Sequence, residues 1–425
     1  MFDRRTVAAM LAGSVVAPKF TFAEDDKQKS AFYSGVGNEL THYEVDAAAA
    51  TLARRGSVKM PGGIQYAWPH PSKKYLYVTS STGGPGFSPG PGFPADQHNL
   101  AAFRIGPTGE LTPHGDMVKL KWRPIHSSVD ITGEYVLVAY SFPAGLSVHK
   151  IKGDGTIGEE ASQPDNLEKG IYFHQIRATP ENKTILVVAR GNNPDGNKPE
   201  DPGSLHVYGF RNGVLSNKRK IAPNGGYGFG PRHLDIHPTK PLVYASIERQ
   251  NQLIVYKLTP DGDLVPEPLF TKATLADPHK FPVQSAGPIH IHPNGKSVYL
   301  GNRSGVAASV VPGVEEVDGR RVFSGGESNI AVFAIDQNTG EPSAIQHADI
   351  RAAHPRTFSL DTSAKLLVAG SLAPTAVREG GKVVAVPAGL SVFRVGADGK
   401  LDFVRKYDLD VGTYTQWWSG MVALA

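Results

Sequence analysis

The 425-residue chain contains no cysteine. That excludes a disulfide framework, a thiolate nucleophile and a cysteine-ligated zinc. Neither sign of charge dominates: 44 Lys+Arg stand against 40 Asp+Glu, with no basic block that would line a nucleic-acid groove. No apolar run approaches the roughly 20 residues that a membrane helix needs. A G-x-S-x-G elbow and a Walker loop are also missing. GGYGFG at 225–230 has its glycines wrongly spaced for a dinucleotide loop and precedes a strand, so it reads as a tight approach of backbone to the central channel of the fold. What the chain has instead is 40% apolar residues with 47 Gly and 33 Pro, the composition of many short strands joined by turns.

Residues 1–23 have a basic start, an apolar stretch over 7–17, and Thr21-Phe22-Ala23 ahead of acidic Glu24-Asp25-Asp26. This is the layout of a cleaved export signal. Arg4-Arg5 directly before the stretch resembles a twin-arginine signal, which implies the twin-arginine machinery as a partner, cleavage near Ala23 and a periplasmic location. Residues 24–31 then form a linker, and 32–425 a single domain with no membrane attachment after cleavage.

Within that domain one unit recurs. HLDIHPTKPLVYASIE (233–248) with NQLIVYKL (251–258) and DGDLV (261–265) is its clearest copy, and five others run from YAWPHPSKKYLYVTS (66–80) to TFSLDTSAKLLVAGS (357–371). The turn residue of each copy falls at Pro71, Thr132, Pro180, Pro238, Pro293 and Thr362. Four short strands at a period near 50 predict β-propeller blades. FYSGVGNELTHYEVD (32–46) and QWWSGMVAL (416–424) supply the missing strands of a seventh. The expected fold is an all-β, seven-bladed propeller whose last blade is closed by both chain ends, leaving no open sheet edge. Segments 81–98, 192–203, 304–328 and 373–388 are inserted loops on that frame.

In such a blade the start of the first strand and the end of the second lie on one rim beside the central channel. Six residues before the turn markers stand Gln65, His126, His174, Arg232, Gly287 and Arg356; eight to ten after them stand Ser80, Tyr140, Arg190, Glu248, Arg303 and Ser371. Two His, four Arg and one Glu converge on one concave mouth, which is where ligand sites form. His70, His237 and His292 each precede a turn proline in a different blade, so they read as turn architecture. The pairs His233/His237 and His290/His292 share strand faces by even spacing, but each includes such a turn member, so no metal site is assigned.

GFGPRHLDIHPTKPLVYASIE (228–248), with FHQIRATPENKTILVVA, IHIHPNGKSVYLGNR and HPRTFSLDTSAKLLVAG, resembles the seven-bladed propeller lactonases, the family of bacterial 6-phosphogluconolactonase and fungal carboxymuconate lactonizing enzyme. The resemblance implies hydrolysis of a lactone, an aldonolactone or related sugar-acid lactone, with no metal or organic cofactor required. It implies catalytic roles for His174, Arg232, Glu248 and Arg303. His126, Arg190, His233 and Arg356 are the expected substrate-binding residues. Glu248 and His174 are the expected proton-transfer pair, and the arginines hold a carboxylate or an oxyanion. The same residues suit the reverse ring closure of a muconate-type cycloisomerase, and the frame suits a propeller that only binds a ligand or protein.

Overall fold

A computed structural model describes residues 29–83, 96–279, 284–304, 316–317, 320–323 and 325–425. The leader and most of the linker, residues 1–28, lie outside the described residues. Six blades are four-stranded antiparallel sheets, and the one that starts at Gly63–Pro69 has a short fifth strand, Val118–Lys119. The second strands, such as YVLVAYS (Tyr135–Ser141) and LVYASI (Leu242–Ile247), are almost wholly buried and apolar, as strands covered on both faces must be. The outermost strands, such as VLSNKRKI (Val214–Ile221), are largely exposed and polar.

Inner strands begin blades 1 to 6 at Gly63–Pro69, Pro124–Val129, Phe173–Ala178, Pro231–Ile236, Gln284–Ile291 and Pro355–Leu360. In blade 7 the inner strand is Gln416–Ala423, paired with Ser30–Val36, which continues to Glu39–Asp46 and Thr51–Lys59. Both chain ends thus close one blade, as the sequence predicted. The apolar core lies as wedges between adjacent blades. Leu186, Val188, Leu205 and Val207 of blade 3 pack on Leu234, Val243, Ala245 and Tyr256 of blade 4, and Leu366 and Val368 of blade 6 pack on Phe32 and Tyr43 of blade 7.

Two repeated hydrogen bonds join the wedges. Tyrosines of the second strands reach a glycine carbonyl in the next blade's outer hairpin: Tyr33 to Gly109 O, Tyr77 to Gly155 O, Tyr244 to Gly340 O and Tyr299 to Gly399 O, at 2.6–2.9 Å. The His-Pro turns form the second set. The Nδ1 atoms of His70, His237 and His292 accept backbone N–H groups of their own turns, which places the ring proton on Nε2. Nε2 then donates to Gly133 O, Gly295 O and Ala364 O of the following blade at 2.9–3.2 Å. These three histidines are therefore architectural.

All seven inner strands carry one extra residue near their start. Phe173 pairs with Ala189 and Gln175 with Val188, so His174 is bulged out of register. The same shift isolates Gln65, Ile125, Arg232, Arg356 and Trp417, and in blade 5 it falls at Gly287-Pro288. A bulge bends the strand and re-aims one side chain. Here it does so at the same height around the ring.

Candidate active site

The bulges of blades 3, 4, 6 and 7 present His174, Arg232, Arg356 and Trp417 to the channel mouth. Second-strand ends add Arg190 and Glu248 there, and Arg303 comes from Ser297–Ser304 of blade 5. Glu248 is the hub. One carboxylate oxygen accepts a hydrogen bond from Arg303 Nη2 and lies 3.6 Å from Arg232 Nε, and the other lies 3.7 Å from Arg190 Nη1. Arg303 Nη2 is held in turn by Ala286 O at 2.9 Å. Arg356 lies 4.0 Å from the centre of the Trp417 ring, and Arg123 donates to Gln65 Oε1 at 3.1 Å.

Three guanidiniums thus contact Glu248, and those of Arg356 and Arg123 stand beside them; Arg249, also near Arg190, is paired with Glu200. Burial alone would raise the Glu248 pKa, but Arg303, Arg190 and Arg232 outweigh it and hold the group at about 2. Burial lowers the pKa of Arg356 to about 9, with Arg303 adding to the effect, and pushes Arg232 well down in the same way. Arg123 Nη2, Arg232 Nη1, Arg303 Nε and Arg356 Nε are buried with no hydrogen-bond acceptor. Unpaired buried donors of this strength call for a negatively charged partner.

Beneath the arginines lies a layer of neutral imidazoles. The rings of His174 and His233 are 5.0 Å apart, those of His233 and His126 6.0 Å, and His126 packs on Tyr66 at 3.9 Å. Burial, with the nearby guanidiniums, drives the pKa of all three histidines well below the ordinary value. His126 has no exposed surface, and neither of its ring nitrogens has a partner. Below this layer Arg177 meets Asp235 at 3.4 Å and covers the Trp68 ring at 4.7 Å.

Residues 29–377 match the model of the lactonase family, described as a seven-bladed β-propeller. The chain belongs to that family. The 6-phosphogluconolactonase of Bacillus subtilis is 25% identical over 351 residues, spanning 80% of this chain and 86% of its own. That of Pectobacterium carotovorum is 27% identical over 340 residues, 74% of this chain and 93% of its own. Among solved structures, a Lactobacillus plantarum protein superposes with a TM-score of 0.67 at 19% identity, covering 94% of this chain and all of its own. A Pseudomonas aeruginosa periplasmic gluconolactonase does so with a TM-score of 0.65 at 16% identity, covering 93% and 99%. These two likenesses show the shared fold.

The structure brings His174, Arg232, Glu248, Arg303, Arg190 and Arg356 together at the mouth, as expected from the sequence. His126 and His233 sit one layer deeper. Counting back from the turn aligned His126 with His174, but the bulge of blade 2 falls on Ile125, which moves His126 past the rim. GGYGFG runs from the inserted loop of blade 3, where an added Cβ at Gly226 would meet Gly203 O at 2.4 Å, to the rim, where Gly230 O accepts the Glu248 N–H at 2.6 Å. His233 and His237 do not share a site: His233 lines the channel, and His237 is bound in the turn. Sequence reading missed Arg123, Tyr172, Trp417 and His354. Three of these stand just ahead of an inner strand, outside the repeated unit, and Trp417 lies in the one blade whose turn is replaced by a chain end.

Proposed function

We propose that the protein hydrolyses the lactone of a sugar acid that carries a further negative charge. The observation that supports this is the excess of guanidiniums at the mouth, four of which, on Arg123, Arg232, Arg303 and Arg356, keep a buried donor unpaired. In this reading Arg190, Arg356 and Arg123 grip the anionic substituent, for which their planar forks are suited. Arg232 and Arg303 receive the oxyanion that forms when water adds to the lactone carbonyl. His174 is the base that takes the proton of that water. It is neutral at working pH and makes no hydrogen bond with the described residues. Glu248, ionised down to about pH 2, is a weak base and serves to order three arginines.

The experiment is acid release measured by pH-stat on 6-phosphogluconolactone, a carboxylated aldonolactone and uncharged glucono-1,5-lactone. One charge-assisted contact is worth enough to raise kcat/KM about tenfold or more for the charged substrates. A preference for the uncharged lactone would sink the charged-substrate reading, and no acid release from any of them would sink hydrolysis. Substituted muconates, followed by their ultraviolet absorbance, test ring closure in the reverse direction. We also propose that the mature protein is periplasmic, on the strength of the leader. An intact Met1 on protein isolated from its host cytosol would refute that.

A further inference from the structure

Lactone hydrolysis needs an acid as well as a base, because the ring oxygen leaves as an alkoxide unless it is protonated. At the mouth Glu248 carries no proton, His174 starts unprotonated, and the guanidiniums are required as cations to hold Glu248 and the oxyanion. One side chain there does carry a transferable proton. Tyr172 directly precedes the inner strand of blade 3, and its backbone is held at φ 59°, in the left-handed region that aromatic residues rarely enter. Such a conformation is strained and persists where the surroundings impose it, commonly at functional sites. Its carbonyl accepts Arg190 N–H at 2.9 Å, which fixes the strained residue to the rim. Its ring lies between the Arg190 guanidinium, 4.1 Å from the ring centre, and the stacked His174 imidazole at 6.2 Å. Its hydroxyl receives Arg123 Nη1 at 3.5 Å.

We propose that Tyr172 is the general acid of the reaction, giving its phenolic proton to the ring oxygen as the lactone C–O bond breaks. The inference rests on the lactone-hydrolysis reading above. Water adds its oxygen to the carbonyl carbon and its proton to His174, leaving an oxyanion. As that intermediate collapses, the electron pair of the C–O bond passes to the ring oxygen, which takes the proton of Tyr172. The phenolate then recovers a proton from the His174 imidazolium through solvent, and the product acid releases one proton to the medium. Net, one water is consumed and the enzyme is unchanged.

The surroundings suit a phenol that must become a phenolate. Burial opposes ionisation of Tyr172, yet Arg123, Arg190 and Arg356 outweigh it and bring its pKa below the ordinary value of 10. By contrast Tyr140 and Tyr208, buried away from cations, are driven upward. The groups facing Tyr172 are Arg123 ahead of blade 2, Arg190 at the end of its neighbouring strand, Arg356 from blade 6 and His174 on its own strand; Glu248 lies beyond Arg190.

Tyr172→Phe keeps the ring, its stacking and its backbone, and removes only the hydroxyl. On 6-phosphogluconolactone it should lose roughly 10² to 10³ in kcat, with KM within about twofold and the alkaline limb of the pH–rate profile gone. On dihydrocoumarin, an aryl lactone whose leaving phenol is about as acidic as tyrosine itself, the loss should shrink to less than about tenfold. Near-ultraviolet absorbance titration, which needs no substrate, should show one tyrosine ionising below pH 10 in the wild type and not in Tyr172→Phe. An active wild type whose Tyr172→Phe variant is undiminished, or loses equally on both lactones, overturns the acid role alone. A wild type that hydrolyses neither lactone overturns the functional reading, and the acid role falls with it.

Discussion

At the scale of the residue, one carboxylate organises the mouth. Glu248 touches Arg190, Arg232 and Arg303, which come from three blades, so its charge rather than its basicity is what the site uses. Glu248→Gln keeps the shape and leaves those guanidiniums without a counter-charge, an error of about 3–5 kcal/mol for a buried pair. Activity should fall by roughly 10² or more, and by a constant factor at every pH above about 3, because Glu248 does not titrate there. A pH-dependent gap between variant and wild type would make Glu248 a proton carrier after all. Arg232→Lys should also be damaging. Arg232 is 1% exposed, and an ammonium cannot span both the carboxylate and a substrate oxygen.

At the scale of the element, the recurring device is a bulge at the start of every inner strand. It explains why the sequence repeat located His174, Arg232 and Arg356 yet misplaced His126: these turns are equally long, but Thr132 is the third residue of its turn where Pro180, Pro238 and Thr362 are the second, so the count back from it ran one residue past the bulge at Ile125. The His-Pro turns are a second device, and they serve cohesion. His237→Gln should remove the bond to Gly295 O and the acceptor for the N–H groups of Thr239 and Lys240, costing about 1–3 kcal/mol of stability. Since the turn points away from the mouth, kcat should stay within about twofold of wild type. Urea unfolding beside steady-state kinetics would check both halves, and a stable but inactive variant would mean that the catalytic rim is the other one.

For the whole molecule, the wedges between blades and the channel bury histidines in the neutral form. Burial lowers the pKa of His149 and His206 to about 4, and holds those of His126, His174, His233 and His354 well below the ordinary value. A histidine whose folded pKa is depressed stabilises the fold above the unfolded value of about 6.5, and that contribution is lost as pH falls toward the folded value. His149 and His206 alone forfeit roughly 3 kcal/mol apiece between pH 6.5 and 4, against the 5–15 kcal/mol of a typical domain. Thermal unfolding followed from pH 7.5 to 4 should therefore show a midpoint that drops steeply below about pH 6. A flat profile over that range would contradict the burial of neutral imidazoles described here.

The amino-acid sequence by itself determined the strands, their number per unit, the ring of seven and its closure, because these follow from apolar alternation and turn residues that repeat along the chain. It also determined the architectural role of His70, His237 and His292, since a feature copied in three blades serves what the blades share. What only the tertiary structure decided was which side chains meet. Tyr172, Arg123 and Trp417 belong to no repeated pattern, and they reach the site through a left-handed backbone, an inter-blade link and a strand from the far end of the chain. The protonation states were likewise undetermined: Glu248 reads as an ordinary acid until three arginines from separate blades are placed around it. Charge interactions depend on distance through space, and a propeller brings into contact residues separated by more than two hundred positions in the chain.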